Sequence, residues 1–273
     1  MNRAYHIREV MWGVWEWLES KGYEVIYMAL YGSDNYGLST PASDMDFKAM
    51  VVPRLEDIVK GKQPISTQLE FDVCGEVGLV DVKDCRKLIE CWHKQNITYI
   101  ELLFTEHYLV TEKYRDEIET LRVAAEQIAH MDEKKVLSCI KGMAMEKKAA
   151  LFKDYPSQKA QIDRHGYAGK QLHHIIRLAD LAEQYTKGYK YTVCLTPDSE
   201  LATILRNCKT YKTVYTPEEA LSIAESCVAD INELRETYES APFNEAASEL
   251  LDTIRYKIIY KALTYELGGG GND

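Results

Sequence analysis

Two short apolar runs joined by a polar, glycine-containing loop constrain this chain more than any other feature. The first, Tyr23 to Tyr31 (YEVIYMALY), is rich in β-favouring residues and suits a buried strand. It leads directly into Gly32-Ser33 and then into a stretch, through Ala42, that carries Gly, Ser, Asn and Pro and must be a loop. The second run, Asp44 to Val52 (DMDFKAMVV), reads as another strand that ends at Pro53. Side chains at i and i+2 share one face of a strand, so Asp44 and Asp46 point the same way. Two such carboxylates converge on a divalent ion, while a Gly-Ser turn offers N–H groups and a hydroxyl to a phosphate. Metal beside phosphate is the apparatus of phosphoryl or nucleotidyl transfer.

Holding two ions for that chemistry calls for a third carboxylate from a neighbouring strand. The strand expected over Glu76 to Lys83 places Val80 and Val82 on one side and Leu79 and Asp81 on the other. Asp81 sits between apolar neighbours, where a carboxylate needs a cation. Asp84 competes for the role, but it is also a good N-cap for a helix running to His93. Asp81 is preferred and the choice stays open. A further strand is expected near Gln68 to Val73.

Residues 4 to 21 read as a helix with Ile7, Val10, Met11, Val14, Trp15 and Leu18 on its apolar stripe, stopped by Lys21-Gly22. After Asn96, itself expected as a left-handed C-cap, helical periodicity dominates: 113–129, 132–153, 166–187, 198–207, 217–239 and 243–266. Strands early and helices late predict an α+β chain. Its expected division is a mixed-sheet module over 1–110, an all-helical module over 111–267 and a flexible tail over 268–273. Glu101 falls in an apolar run and is expected to pair with a buried cation. On the helix over 166–187, Lys170, His174 and Arg177 recur at i, i+4 and i+7 on one face, suited to meeting an anionic ligand in a cleft between the modules. Tyr167 and Gly169, near its start, would add free N–H groups, and His173 lies off the stripe in a structural role.

The formal net charge is -10, so any polynucleotide partner needs a local basic patch. The spaced lysines from Lys141 to Lys159 are interrupted by acids and read as a solvated helix surface. No stretch approaches the roughly 20 apolar residues of a membrane span. The opening MNRAYHIREV lacks an apolar signal core, and the seven cysteines include no C-x-x-C pair. A reduced, cytoplasmic protein without a zinc site or membrane partner is therefore expected.

The pattern Gly32-Ser33 through Ser43-Asp44-Met45-Asp46 resembles the signature of the DNA-polymerase-β-like nucleotidyltransferases. A narrower group, associated with RNA repair and common in bacteria and phages, matches in three stretches. These are Gly32-Ser33 through Tyr36-Gly37-Leu38, Thr40-Pro41 and Ser43 to Asp46; Asp84 to Leu88 with Asn96 and Ile100 to Phe104; and Lys170, His174 and Arg177-Leu178. The resemblance implies a nucleotidyltransferase sheet module that binds a nucleoside triphosphate such as ATP, with two Mg²⁺ ions (or Mn²⁺) on Asp44, Asp46 and Asp81. Gly32, Ser33 and Ser43, with Lys170, His174 and Arg177, would hold the nucleotide. The favoured acceptor is an RNA end. The rival readings are a catalytically silent nucleotide- or RNA-binding component of a repair or defence system, and an enzyme that modifies a small molecule.

Overall fold

The computed structural model describes residues 3–40, 43–156 and 158–267. The tail expected over 268–273 lies outside the described residues. Two compact units divide the chain. The first comprises the residues up to Asn35, Thr40–Met131 and the segment from Asn244 onward; the second comprises Tyr36–Ser39 and Asp132–Phe243. The expected 110/111 division thus falls inside the first unit.

In the first unit, α1 (Arg3–Ser20) leads to β1 (Val25–Tyr31), β2 (Asp46–Val51), α2 (Leu55–Val59), β3 (Ser66–Val73) and β4 (Glu76–Asp84). These are followed by α3 (Cys85–His93), α4 (Ile97–Ile100), β5 (Tyr108–Val110), α5 (Arg115–Val123) and α6 (Ala125–Ala129). The strands form one mixed five-stranded sheet in the order β3-β4-β2-β1-β5. The pair β2–β4 is parallel, and the other neighbours are antiparallel. The α+β expectation is met.

The alternation of side chains divides the sheet into two faces. Met28, Leu30, Phe47, Ala49, Val51, Val80 and Val82 form a core with Ile7, Val10, Met11, Val14, Trp15 and Leu18 of α1, the six residues of the predicted stripe. Burying each such side chain contributes about 1.5–3 kcal/mol, which fixes both the register of α1 and the inward face of the sheet. The opposite face carries Tyr31, Asp46, Lys48 and Asp81. From the far end of the chain, α13 (Glu245–Leu267) packs against α3, α5 and α6.

The second unit is helical: α7 (Glu133–Ala150), α8 (Lys159–His165), α9 (Gly169–Thr186), α10 (Tyr191–Leu195), α11 (Ser199–Thr210) and α12 (Pro217–Thr237). Asp132, Asp198 and Thr216 cap α7, α11 and α12, and Thr216 forms a full capping box with Glu219. Lysines in the run from Lys141 to Lys159 meet acids within the unit, as in Lys148 with Glu225 of α12 at 3.0 Å and Lys159 with Asp154 at 2.6 Å.

Several local expectations are corrected. Asn96 is not a left-handed C-cap; its side chain accepts from the Thr98 N–H as the N-cap of α4, and the left-handed residue is Gln95 at φ 52°. The helix expected over 113–129 is broken at Ala124 into α5 and α6. The short elements α2, α4, α10 and β5 carry too few residues for any periodicity to announce them.

Candidate functional site

Tyr31 pairs with Asp46 across β1 and β2, so the Gly32-Ser33 turn leaves β1 at the sheet end where β2 begins. Gly32 takes φ +97°, a conformation that a side chain would strain. The Asn35 N–H closes the turn onto the Gly32 carbonyl at 3.0 Å. The Gly32 N–H donates to Glu101 Oε1 at 2.8 Å, and the Asn35 amide donates to the same oxygen at 3.3 Å. Thr105 Oγ1 completes the network by donating to Asn35 Oδ1 at 2.7 Å. Glu101 is therefore buried as expected, but its partners include the N–H groups of the turn itself.

Next along the turn, Asp34 accepts from both Nε and Nη2 of Arg3, at 2.5 and 2.9 Å. The Ser43 hydroxyl accepts from the Thr40 N–H at 2.8 Å, which commits it to closing the loop.

Asp44 is exposed, Met45 buried and Asp46 half-buried, the alternation expected of two carboxylates on one face, although β2 itself begins only at Asp46. Asp46 Oδ1 accepts from the Leu79 N–H at 3.1 Å. Close approach of β4 needs the glycine before it: a Cβ on Gly78 would lie 2.3 Å from the Met45 carbonyl. The backbone between the two acids is thereby seated on β4.

Asp81 lies on the Asp46 face, in register with Lys48. Its carboxylate is 3.7 Å from Lys48 Nζ and 3.3 Å from Lys83 Nζ, and it accepts from the Tyr99 hydroxyl. Lys48 is buried, with its Nζ 4.1 Å from the ring centroids of both Tyr31 and Tyr99. Desolvation lowers its pKa, and the Asp81 carboxylate opposes that shift. Burial pushes the hydroxyls of Tyr31 and Tyr99 upward, and the hydrogen bond to Asp81 adds to the shift at Tyr99. Asp84 has a different fate: it is buried, accepts from the Arg86 N–H at 2.9 Å, and binds the Arg86 guanidinium at 2.8 and 2.6 Å. It is the N-cap of α3, so of the two candidate acids Asp81 is the one on the site face.

Magnesium is commonly held by one or two carboxylates together with substrate phosphate oxygens and water. Asp44 and Asp46 fit that donor set. Among the described residues, no group of three or more His, Cys, Asp or Glu is arranged to hold a metal ion, and Asp81 is met by ammonium groups. Lys48 escaped the reading of the sequence, though its position was legible: it follows Asp46 by two within an apolar strand, which puts it on the same face.

In the second unit, α9 carries Lys170, His174 and Arg177 on one face, from exposed to buried. Arg177 is 7% exposed, and among the described residues its Nε and Nη1 have no hydrogen-bond partner. Its guanidinium stacks over the Tyr36 ring at 4.1 Å. Two unpartnered donors on a buried cation are costly, and an anion would satisfy them. Burial, together with charged neighbours, holds the His174 pKa well below the usual value. His173 is structural, with Nδ1 2.9 Å from the Leu205 carbonyl, and burial lowers its pKa to about 4. At the start of α9 the Gly169 N–H is not free: it donates to the Tyr211 hydroxyl at 2.7 Å.

Comparison with known proteins adds the following. A family model, RlaP, described as the RNA repair pathway DNA polymerase beta family, matches residues 9–195. No curated protein matches the chain. Among solved structures, a nucleotidyltransferase-like protein from Exiguobacterium sibiricum 255-15 is similar at 10% identity, over 79% of this chain and 69% of that one, with a TM-score of 0.31.

Proposed function

The chain belongs to the RNA repair pathway DNA polymerase beta family, whose character is nucleotidyltransferase-like, and on that premise we propose that it transfers a nucleoside monophosphate from a nucleoside triphosphate to an acceptor. The observation that carries this reading is the Tyr31–Asp46 pairing, which sets the Gly32-Ser33 turn and the Asp44/Asp46 carboxylates at one end of one sheet. In the proposal, Gly32 shapes the turn on which Ser33 meets the phosphate tail, Ser43 keeps the loop closed, and Asp44 and Asp46 would hold Mg²⁺, with Asp81 joining as the third acid only on release from Lys48 and Lys83. Lys170, His174 and Arg177 of the second unit contribute phosphate contacts, His174 as a neutral hydrogen-bonding group. An acceptor hydroxyl attacks the α-phosphorus in line, the new P–O bond forms, and pyrophosphate leaves. Bound Mg²⁺ would supply neutralisation of the phosphate charge. The favoured acceptor is an RNA end.

Incubation of the protein with labelled nucleoside triphosphates and RNA, DNA, protein and small-molecule acceptors tests the proposal. Transfer that Asp44→Ala abolishes, without a change in thermal unfolding, supports it. Transfer at the wild-type rate by Asp44→Ala refutes it. A second reading, a silent nucleotide-binding component, draws on the engagement of Asp81 by Lys48 and Lys83. It predicts triphosphate binding by calorimetry with no product on any acceptor.

A further inference from the structure

On the sheet edge formed by β5, a groove of about 540 Å³ runs between that strand and α1, on the face opposite Asp46. Its walls include Arg8 and Trp12 of α1, His107 and the backbone of β5, and Arg115 at the start of α5. Trp12 is 48% exposed although it lies in a concavity, next to a core that already contains Trp15. The N–H of Leu30 bonds the His107 carbonyl, and the N–H of Thr111 bonds the Ile26 carbonyl. By the alternation of an antiparallel ladder, the N–H and C=O groups of Tyr108 and Val110 therefore face outward, toward the open edge.

We propose that this groove binds single-stranded polynucleotide. Each part matches one component of a nucleotide. An exposed indole offers a face on which any base stacks. The Arg8 guanidinium and His107 meet the phosphodiester, and the outward amides of β5 serve a base edge. The volume suits one or two nucleotides. Glu106 lines the groove, and Glu112 holds Arg115 at 2.7 Å, so net positive charge is small. That favours a short contact with few phosphates over a duplex track. An extended peptide adding to the sheet is a poorer match, because β5 is three residues long.

The test is fluorescence anisotropy of a labelled ten-nucleotide oligouridylate titrated with the full chain, without nucleoside triphosphate or metal. Binding is expected, weakened about tenfold in Trp12→Ala through loss of one stacked base. Arg8→Gln, a surface change, is expected to reduce the slope of log affinity against log salt by about 0.7, one phosphate's share. Asp44→Ala is expected to bind as the wild type does, which separates this site from the proposed transfer centre. Absence of binding by the wild type, unchanged binding by both groove variants, or equal affinity for a duplex of the same length would each overturn the proposal. So would competition for the groove by an extended peptide with no oligonucleotide binding.

Discussion

The backbone N–H of Gly32 donates to the carboxylate of Glu101, 69 residues later in the chain, at 2.8 Å. The turn proposed to receive a phosphate is thus built around an anion that the chain provides itself. Glu101 also accepts from Asn35, so one buried carboxylate fixes both ends of the Gly32–Asn35 turn. Glu101→Ala would take the acceptor from the half-buried Gly32 N–H, while the Asn35 amide keeps the Leu30 carbonyl at 3.0 Å, at a cost of about 1 kcal/mol. Glu101→Gln keeps an acceptor oxygen and should lose less. Thermal denaturation followed by circular dichroism checks the order; equal losses would contradict it.

Gly78 seats the Asp44-Met45-Asp46 backbone by leaving room for the Met45 carbonyl. Gly78→Ala forces that segment off β4, with an overpacking cost of about 1–3 kcal/mol and a fall in any nucleotide transfer. Gly142→Ala, in the interior of α7 with nothing near its added Cβ, should instead stabilise by about 0.5–1 kcal/mol. Denaturant titration of the two variants should move the midpoints in opposite directions.

Arg177 combines burial with two unpartnered nitrogens, a desolvation cost that a bound anion would relieve. Arg177→Met should therefore raise the melting temperature of the ligand-free protein, and adding triphosphate, expected to raise that of the wild type, should leave the variant's unchanged. A variant that melts lower in both conditions would show that the guanidinium is already well paired.

His173 gives the second unit a pH dependence of known sign. Its folded pKa, about 4, lies below the unfolded value near 6.5, so folding disfavours the proton. The stability is complete above pH 6.5 and declines as pH falls to about 4, by about 3 kcal/mol. His174, shifted in the same direction, adds to the decline. His173→Asn keeps a donor for the Leu205 carbonyl and should flatten the curve between pH 6.5 and 4. Urea unfolding across that range measures it.

The sheet end that carries the proposed chemistry was legible in part because period-2 alternation is a local property: it placed Asp44 with Asp46, and Asp81 opposite Val80 and Val82, while only the β2–β4 pairing puts Asp46 and Asp81 on one face. The stripe of α1 was legible for the corresponding reason at period 3.6. What stayed hidden depended on partners distant in sequence. Glu101 reads as a carboxylate in search of a cation, and only the folded chain brings Gly32 and Asn35 to it. Lys48 and Lys83 flank Asp81 through strand pairing and through β4 itself, which no spacing between Asp-x-Asp and a third acid discloses. The extent of the first unit was hidden too, since α13 reads like the helices before it and yet packs within that unit on α3, α5 and α6.

That last arrangement bears on how the molecule is divided. The Asn244 N–H donates to the Met131 carbonyl at 2.9 Å, so the chain leaves the sheet-bearing unit and rejoins it at adjacent points. Residues 132–243 are thus a long insertion in the first unit, counted in the second together with Tyr36–Ser39, and the first unit's own fold is completed by the final helix. A fragment cut at residue 131 would be an unfinished version of the sheet unit, with the apolar flanks of α3, α5 and α6 laid bare. A fragment that joins Met131 directly to Asn244 keeps that covering in place.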